Sequence, residues 1–568
     1  MKSGINDTPT WQAWLKELGP TTRIGVDPSV VSQNEAGSLG KALAEVKARE
    51  LVPIKENLVD LIWTDRPARP AQPIFQLHDE FAGDSVSHKL SNLRDKLTRA
   101  GSPGIVVTAL DEVAWLFNLR GSDIPYNPVF FAYAIVTQHD ATLFANPESV
   151  PQEVRDYLHA NNVVVLEYSQ VWQSLGSWRE LLTENRAKAD AAKAAAEASA
   201  ENGVAEEPTK KVAPAEPKAA DDKPEAPKEK VAKTDKVLIG TNASWAVGNA
   251  LGTEFEVRRS YVTDAKARKN ATEIEGFRQC HIRDGAALVR YFAWLEDVLG
   301  KGEKWTEFDV ATQLENFRKE GKNFKGLSFD TISSTGANAA VIHYSPSETD
   351  SAVVDINQIY LCDSGGQYLD GTTDTTRTLH FGTPTAEEKR SFTRVLQGHI
   401  ALDTFVFPTG TTGYTLDAAA RRPLWADGLD YRHGTGHGVG HFLNVHEGPQ
   451  GIGPRAAYLD VALAEGMVVS NEPGYYEDGK YGIRIESVVA VRNAQTPNNF
   501  GGKGFLEFEN FTVVPIQTKL IDQSLITPDE RKWINAYHED VLAKVQPELE
   551  AYGDERALAW LKRETVAI

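Results

Sequence analysis

Two aspartates on either side of a glycine-rich turn are the first candidates for chemistry in this chain. Asp363 follows the strand-like run Ile-Tyr-Leu-Cys, and Asp374 stands eleven residues further on, before a second strand-like run. In an antiparallel pair, residues at equal distances from one turn can face each other on the same side of the sheet. Two carboxylates that close repel each other unless a cation neutralises them. The spacing therefore indicates either a divalent-metal site or a solvated hairpin with ordinary surface acids.

Further metal-binding residue types follow in glycine-rich or apolar surroundings. His437 is flanked by glycines in the run His-Gly-Thr-Gly-His437-Gly-Val-Gly, which suits a backbone that lies close to a site. Glu472 and Glu486 each fall within mostly apolar runs, which we predict to be buried strands over 468–472 and 482–489. Charged residues within such strands are rarely buried unless they are paired or bind a metal.

Together, two aspartates, one histidine and two glutamates form a hard ligand set that is rich in oxygen. Such a set favours ions like manganese, cobalt or magnesium over the thiolate-bound zinc of structural sites. Five ligands, four of them carboxylates, exceed what one ion needs. We therefore predict a two-metal site whose ligands are Asp363, Asp374, His437, Glu472 and Glu486.

The motifs around these ligands resemble a known family. From about residue 265 to 568 the chain resembles the pita-bread metallopeptidases, the fold of methionine aminopeptidase, prolidase and aminopeptidase P. The residues of these motifs are most similar to those of the eukaryotic cytosolic-type Xaa-Pro aminopeptidases, and the likeness extends to the segments 57–67 and 108–123. The motifs that carry it are Ile342-His343-Tyr344, Asp363-Ser-Gly, Thr373-Asp374, His433 to Gly440, Asn444-Val-His446-Glu-Gly-Pro and Asn471-Glu472-Pro-Gly.

The resemblance implies a role for each ligand. Asp363 would chelate the first metal, His437 and Glu472 would hold the second, and Asp374 and Glu486 would bridge the two ions, which we expect to be Mn²⁺. A hydroxide between the metals would attack the scissile carbonyl, because two cations lower the pKa of a bridging water. Glu472 would also be catalytic, since it would carry the proton of that water to the leaving nitrogen.

Four other side chains are assigned to the substrate by the same resemblance. His446 would donate to the tetrahedral intermediate, His343 would contact the substrate near the scissile bond, and His433 would line the proline side of the cleft. His343 and His446 are therefore predicted to be catalytic as well as substrate-binding. Arg484 lies two positions before Glu486, so on a strand it would share that glutamate's face and orient the acidic site.

The implied activity is removal of the N-terminal residue from peptides with proline at the second position. An Xaa-Pro bond has no N–H and carries a ring on the leaving nitrogen. Its site therefore needs an apolar or aromatic slot, for which Tyr475 and Tyr476 are candidate walls. A prolidase, which takes dipeptides only, is the nearer alternative, and a non-catalytic pita-bread binding protein is the more distant one. The five intact ligands argue against a pure binding role.

Length and composition are those of an ordinary soluble protein. The chain has 568 residues, 41% of them hydrophobic, and no run approaches eighteen consecutive apolar residues. The formal charge of −19 argues against nucleic-acid binding. Two cysteines, Cys280 and Cys362, cannot form a disulfide framework. We expect a cytoplasmic enzyme that acts on peptides without membrane or nucleic-acid partners. The resemblance to the family implies a homodimer that forms through the catalytic domain.

The resemblance implies an α+β chain in which α/β creatinase N-terminal-like domains precede a C-terminal pita-bread metallopeptidase catalytic domain. We place the catalytic domain at 263–568, with a last long helix over 528–551. The second α/β domain covers 67–262 and is interrupted by an Ala/Lys/Glu/Pro-rich insert at 184–235. The alanine-rich start of this insert favours an extension of the preceding helix, and its proline-rich remainder predicts disorder.

A partial N-terminal α/β domain is predicted over 1–66. It is shorter than a usual domain, and we expect it to be truncated, without the front half found in the family. Its predicted helices lie over 11–18 and 42–49, and its predicted strands lie over 23–27 and 51–54.

Overall fold

The computed structural model describes residues 8–18, 22–46, 50–201 and 232–568. The proline-rich part of the predicted insert lies outside the described residues. The prediction that this part is disordered therefore concerns residues that the structure does not describe. None of the described helices is both long and apolar enough to cross a bilayer.

The first region is a small α/β unit with two parallel strands. Its elements are α1 (Trp11–Glu17), β1 (Arg23–Val26), α2 (Gln33–Ala44) and β2 (Glu50–Pro53). The helix predicted over 42–49 is wrong, because α2 begins at Gln33 and has ended by Ala44. Its start is fixed by a capping box in which Ser32 and Glu35 each bond the backbone N–H of the other.

The second region is an α/β domain whose helices pack on both faces of one sheet. Its helices are α3 (Asp79–Ala82), α4 (Val86–Ala100), α5 (Leu110–Leu116), α6 (Gln152–Ala160), α7 (Gln170–Glu201) and α8 (Trp245–Leu251). Its strands are β3 (Phe75–Gln76), β4 (Gly104–Val107), β5 (Leu119–Arg120), β6 (Ala132–Thr137), β7 (Ala141–Ala145), β8 (Val163–Glu167), β9 (Val237–Ile239) and β10 (Phe255–Val257). The main sheet has the order β10-β9-β4-β6-β7-β8 and mixes parallel and antiparallel pairs.

Helix α7 contains the alanine-rich start of the insert, as the sequence predicts. Its first turns bury Val171 and Leu175 against the sheet. Beyond Arg186 every described side chain up to residue 197 is exposed. Arg186 forms an ion pair with Asp235 on the far side of the insert, at 2.9 Å. The two ends of the insert therefore lie next to each other.

The third region supplies antiparallel sheets flanked by long helices. Its helices are α9 (Tyr261–Ala267), α10 (Ala271–Gly300), α11 (Glu307–Lys319), α12 (Ala386–Asp403), α13 (Gly413–Trp425), α14 (Pro528–Tyr552) and α15 (Glu555–Glu564). Its strands are β11 (Phe324–Leu327), β12 (Ile332–Thr335), β13 (Ile359–Ser364), β14 (Gly366–Tyr368), β15 (Gly371–Thr372), β16 (Thr375–His380), β17 (Phe407–Pro408), β18 (Gly436–Gly438), β19 (Glu447–Ile452), β20 (Val468–Asn471), β21 (Gly474–Glu477), β22 (Tyr481–Arg484), β23 (Ser487–Asn493) and β24 (Phe505–Asn510).

Two of these sheets meet around the candidate site. One has the order β12-β13-β16, and the other has the order β17-β24-β23-β20-β18-β19. All of their pairings are antiparallel. The apolar core of this region lies between the sheets and α10, α12, α14 and α15. The last long helix, predicted over 528–551, is present as α14 and begins at a capping box between Thr527 and Glu530.

We predict that the exposed part of α7 and the insert can be removed without loss of stability. Replacing residues 187–233 with a short Gly-Ser linker should leave the thermal midpoint unchanged, because the ends are adjacent and the described side chains beyond Arg186 are exposed. Leu175→Ala is the matched control, since it opens a cavity under the same helix and should cost about 2–5 kcal/mol. A deletion that lowers the midpoint as far as this control would contradict the prediction.

Candidate metal centre

One cavity of about 550 Å³ between the antiparallel sheets contains all nine site residues predicted from the sequence. Five of them are the expected ligands, three are histidines and one is an arginine. The nine are His343, Asp363, Asp374, His433, His437, His446, Glu472, Arg484 and Glu486.

The two aspartates lie on one sheet but not directly opposite each other. Strand β13 pairs with β16 so that Asp363 faces Thr376, and Asp374 precedes the first residue of β16. The prediction that the two aspartates face each other across a simple hairpin is therefore wrong. The turn is extended by the short strands β14 and β15, which moves Asp374 to a diagonal position two residues along the ladder. Diagonal neighbours still share a face of the sheet.

The two glutamates occupy a break between two pairs of strands. The pair β20–β23 ends with Asn471 opposite Ser487, and the pair β21–β22 starts with Gly474 opposite Arg484. Glu472 and Glu486 thus take opposed places just outside the strands. The strand predicted over 468–472 ends one residue earlier, and the strand predicted over 482–489 is interrupted at Glu486. Pro473 explains the break, because it has no N–H to donate to the ladder.

Backbone hydrogen bonds fix the two glutamates to other parts of the site. The N–H of Glu472 donates to the carbonyl of Thr435 at 2.8 Å, and the N–H of Glu486 donates to the carbonyl of Thr376 at 3.1 Å. The hydroxyl of Thr376 also donates to Glu486 Oε2 at 2.7 Å. Each glutamate is therefore tied to the segment that carries another ligand.

His437 is oriented toward the carboxylates by its own backbone. Its Nδ1 lies 2.9 Å from the carbonyl of Gly438, and its Nε2 lies 3.3 Å from Asp374 Oδ2 and 3.6 Å from Glu472 Oε1. A histidine that binds a metal commonly donates its second ring N–H to a carbonyl in this way. The flanking glycines are needed, since a Cβ on Gly436 or Gly438 would lie within about 2 Å of a neighbouring carbonyl oxygen.

Burial dominates the electrostatics of the acidic side chains. It raises the pKa of Glu472 to about 7, although the nearby His437 opposes the rise. It also raises the pKa of Asp374 and, well above its usual value, that of Glu486. Burial alone would lower the pKa of His437, but Asp374 and Glu472 raise it to about 9. The protein therefore holds its acidic groups in a site that favours their neutral forms.

The donor set fits divalent cations. Asp363 Oδ1 is buried and has no hydrogen-bond partner among the described residues, and ligand atoms of Asp374, His437 and Glu486 lie within 4.8 Å of one another. Carboxylate oxygens with one imidazole suit hard ions such as manganese or magnesium. An ion bound here would neutralise carboxylates whose charged forms burial disfavours.

Arg484 connects the acidic cluster to the histidine side of the cavity. Its Nη2 donates to Asp363 Oδ2 at 2.6 Å, and its Nη1 donates to the hydroxyl of Tyr476 at 2.7 Å. The same hydroxyl lies 2.8 Å from His433 Nε2. Burial lowers the pKa of His433 to about 3, and Arg484 adds to this effect. His433 is therefore neutral at ordinary pH, and both of its ring nitrogens are engaged, Nε2 by Tyr476 and Nδ1 by the carbonyl of Gly434 at 2.8 Å.

The other two histidines reach the cavity from loops and are exposed. The ring of His446 packs edge-to-face on His437, with ring centroids 4.3 Å apart. Partial burial lowers the pKa of His446 to about 4, and the nearby His437 adds to this effect. His343 follows a short 3₁₀-helix and precedes Tyr344. Tyr344 is anchored by a hydrogen bond from its hydroxyl to the buried carboxylate of Glu307 at 2.7 Å.

Sequence reasoning missed the apolar wall of the cavity. Among the described residues that line it, neither Tyr475 nor Tyr476 is found, and the apolar side chains are instead those of Phe329, Ile342 and Tyr458, with Ile332 and Pro449. These residues come from separate loops and strand ends. No motif joins them, so only the folded arrangement could identify them.

Comparison with protein-family models divides most of the chain into three matched segments. Residues 65–273 match the creatinase/prolidase N-terminal domain, residues 275–493 match metallopeptidase family M24, and residues 504–568 match the C-terminal region of peptidase M24. The matched segments follow the α/β and antiparallel regions described above, except that α9 and the start of α10 fall within the N-terminal match.

Relatives and solved structures extend the likeness over the whole chain. The probable Xaa-Pro aminopeptidase P of Coprinopsis cinerea is 52% identical over all of this chain and 85% of its own length, and that of Fusarium vanettenii is 50% identical over 86% of its length. The X-prolyl aminopeptidase of Caenorhabditis elegans, described as a cytosolic enzyme with a di-nuclear active site, is 36% identical with a TM-score of 0.86, over 100% of this chain and 85% of that one.

A more distant structure, the Xaa-Pro dipeptidase of Bacillus anthracis, shares the fold. It is 20% identical with a TM-score of 0.53, over 76% of this chain and 99% of its own. The likeness to solved structures and the family matches agree on a creatinase-type N-terminal part followed by a pita-bread catalytic part. The chain therefore belongs to metallopeptidase family M24 and, within it, to the group of the Xaa-Pro aminopeptidase P proteins.

Proposed function

We propose that this protein is a metal-dependent aminopeptidase that removes the N-terminal residue from peptides with proline at the second position. The observation that carries the proposal is the convergence of five metal-binding side chains and three histidines in one cavity. The relatives at about 50% identity, all named Xaa-Pro aminopeptidase P, support the same activity.

The five expected ligands would hold two divalent cations, and Mn²⁺ remains the ion we predict. When bound, such a pair of ions lowers the pKa of a water and polarises the scissile carbonyl. The proposal is supported by the di-nuclear site of the nematode enzyme and by the unpartnered buried oxygen of Asp363. The ligands are Asp363, Asp374, His437, Glu472 and Glu486.

Glu472 is suited to move the proton in this reaction. Its carboxylate lies in the cavity, 3.6 Å from His437 Nε2, where it can accept a proton from the attacking water and return it to the proline nitrogen. His446 would donate to the oxyanion that develops on the carbonyl. His343 would contact the substrate next to the scissile bond. The exposure of both histidines within the cavity leaves their rings accessible to a peptide.

Selectivity for proline would come from a site that makes no use of a scissile N–H. Proline lacks that hydrogen, and its ring can pack against the apolar wall of Phe329, Ile342 and Tyr458. His433 would line the proline side of this wall. Arg484 would orient Asp363 through the hydrogen bond described above.

The remaining expectations stay predictions. We propose domains over 1–66, 67–262 and 263–568. The start of the N-terminal-domain match at residue 65 supports the first boundary, whereas the matches meet between residues 273 and 275, beyond the second proposed boundary. A cytoplasmic location is supported by the cytosolic description of the nematode enzyme. A homodimer through the catalytic domain is proposed on the family resemblance alone.

The activity is tested with peptides that differ only at the second position. With Mn²⁺ present, the protein should release arginine from Arg-Pro-Pro, because the site accepts a leaving nitrogen without a hydrogen. It should release none from Arg-Ala-Pro, and chelator should abolish the cleavage. The measurement is release of the free N-terminal residue over time.

An Xaa-Pro dipeptide separates this activity from that of a prolidase. Faster turnover of the dipeptide than of the longer peptide would favour the prolidase alternative. Absence of cleavage of every peptide by the metal-loaded protein would overturn the proposal and favour a binding role.

The stabilising effect of the metal should grow with pH. In the metal-free protein, the folded-state pKa of Glu472 is raised to about 7 from 4.5. The contribution of Glu472 to the free energy of unfolding is therefore present in full below about pH 4.5. It is lost as pH rises through 7, a change of about 3 kcal/mol. His437 acts in the same direction. Because its pKa is raised to about 9, its stabilising contribution to the free energy of unfolding decreases as pH rises above 6.5.

Thermal midpoints measured with chelator and with saturating Mn²⁺ between pH 5 and 7.5 check this prediction. The difference between the two midpoints should widen as pH rises, because the metal replaces protons on the ligands. In chelator, the thermal midpoint of Glu472→Gln should depend less on pH than that of the wild type, since glutamine does not titrate. A difference that narrows toward pH 7.5 would contradict the prediction.

A further inference from the structure

The loop that carries His446 is held by residues from another part of the chain. Arg120, at the end of β5, donates to the backbone carbonyls of His441 at 3.1 Å and Phe442 at 2.5 Å. Both carbonyls belong to the segment between β18 and β19, in which His446 lies. The position of this segment is therefore set from outside the catalytic sheets.

Glu447 is the strongest fixed point of the loop. It follows His446 directly and is 3% exposed. Lys266 Nζ donates to its Oε2 at 2.5 Å, and Lys269 Nζ donates to its Oε1. The lysines are themselves buried, 3% and 6% exposed. Both oxygens of Glu447 are thus held by cations that have no access to bulk water, a geometry that permits little displacement.

Helix α5 also takes part in the ion-pair cluster that holds Glu447. Lys266 Nζ also lies 2.9 Å from Asp111 Oδ2, so it bridges two carboxylates. Together, Asp111 and Glu447 balance the charges of Lys266 and Lys269. Asp111, Lys266 and Lys269 all fall in the segment that matches the creatinase/prolidase N-terminal domain, whereas Glu447 falls in the segment that matches family M24.

A second buried contact holds the helix that carries Lys266 against α5. Glu112, next to Asp111, accepts hydrogen bonds from Ser260 Oγ at 2.8 Å and from Thr263 Oγ1. Ser260 is the N-cap of α9, and Thr263 lies in its first turn. The lysine is therefore presented to Glu447 by a helix that is itself fixed to α5.

We infer that Lys266, Lys269 and Asp111 are positioning residues of the active site, which act through Glu447 to place His446. The inference rests on the role proposed for His446 in the reaction. Its physical basis is that adjacent residues share backbone, so that release of the Glu447 carboxylate displaces the neighbouring imidazole. A misplacement of about 1 Å in a catalytic group can cost about 100-fold in rate.

Glu447→Gln tests the inference, because it keeps the size of the side chain and removes the charge that the lysines hold. We expect kcat on Arg-Pro-Pro to fall at least about tenfold, while KM changes less than about twofold and metal content is unchanged. The matched control is Asp554→Asn, which neutralises the Arg290–Asp554 ion pair far from the loop and should leave kcat unchanged. An unchanged kcat in Glu447→Gln overturns the inference.

A double-mutant cycle separates positioning from a general structural effect. If Glu447 acts through His446, then in the His446→Ala background Glu447→Gln should lower kcat no further. If His446→Ala lowers kcat and Glu447→Gln lowers it again by the same factor, the positioning inference is overturned and the proposed reaction stands. If His446→Ala alone leaves kcat unchanged, the role of His446 in the proposed reaction fails, and the inference fails with it.

Asp111→Asn provides a second route if Glu447→Gln does not fold. The Asp111 side chain is 20% exposed, and its removal leaves both lysines on Glu447. We expect a few-fold loss of kcat that likewise disappears in the His446→Ala background. A loss that persists there, or no loss at all, overturns the claim that the N-terminal segment helps to place His446.

Discussion

The structure depends on one electrostatic constraint, the crowding of four carboxylates into a single buried cavity. Burial raises the pKa of Asp374, Glu472 and Glu486, and His437 and Arg484 are the positive groups that contact the cluster. Two positive groups do not balance four carboxylates, and only one of the two, Arg484, keeps its charge once His437 loses its proton. The site therefore favours either bound protons or bound cations, and a pair of divalent ions satisfies the charge and the unpartnered oxygen of Asp363 together.

The fold brings the carboxylates together by interrupting its own strands. Pro473 ends the β20–β23 ladder, so Glu472 and Glu486 leave the sheet at opposed positions and bond instead to the backbone of Thr435 and Thr376. The short strands β14 and β15 shift Asp374 relative to Asp363. Irregular backbone at Asp374, Glu472 and Glu486 replaces the regular pairing that a purely structural sheet would keep, whereas Asp363 stays within the regular strand β13. Each departure points a carboxylate into the cavity.

Much of the site could be predicted from the sequence, because the ligands are local features of recognisable runs. The types and spacing of Asp363, Asp374, His437, Glu472 and Glu486 indicate a two-metal centre by themselves. The apolar wall and the lysines that hold Glu447 could not be found in this way. They come from segments far apart in the chain, and an isolated lysine or phenylalanine carries no signal of its partner. The predicted start of α2 is wrong because the prediction did not use the capping box at Ser32 and Glu35, which fixes where the helix begins.

The most direct test of the central claim is the number of divalent ions that each chain binds. Metal-free protein would be titrated with Mn²⁺ by calorimetry, beside Asp374→Asn and the control Asp370→Asn, whose aspartate bonds Arg283 instead of facing the cavity. The account predicts two ions per chain for the wild type and the control, and fewer for Asp374→Asn, which loses the charge of a proposed bridging ligand. Saturation of the wild type with a single ion, or two ions retained by Asp374→Asn, would contradict it.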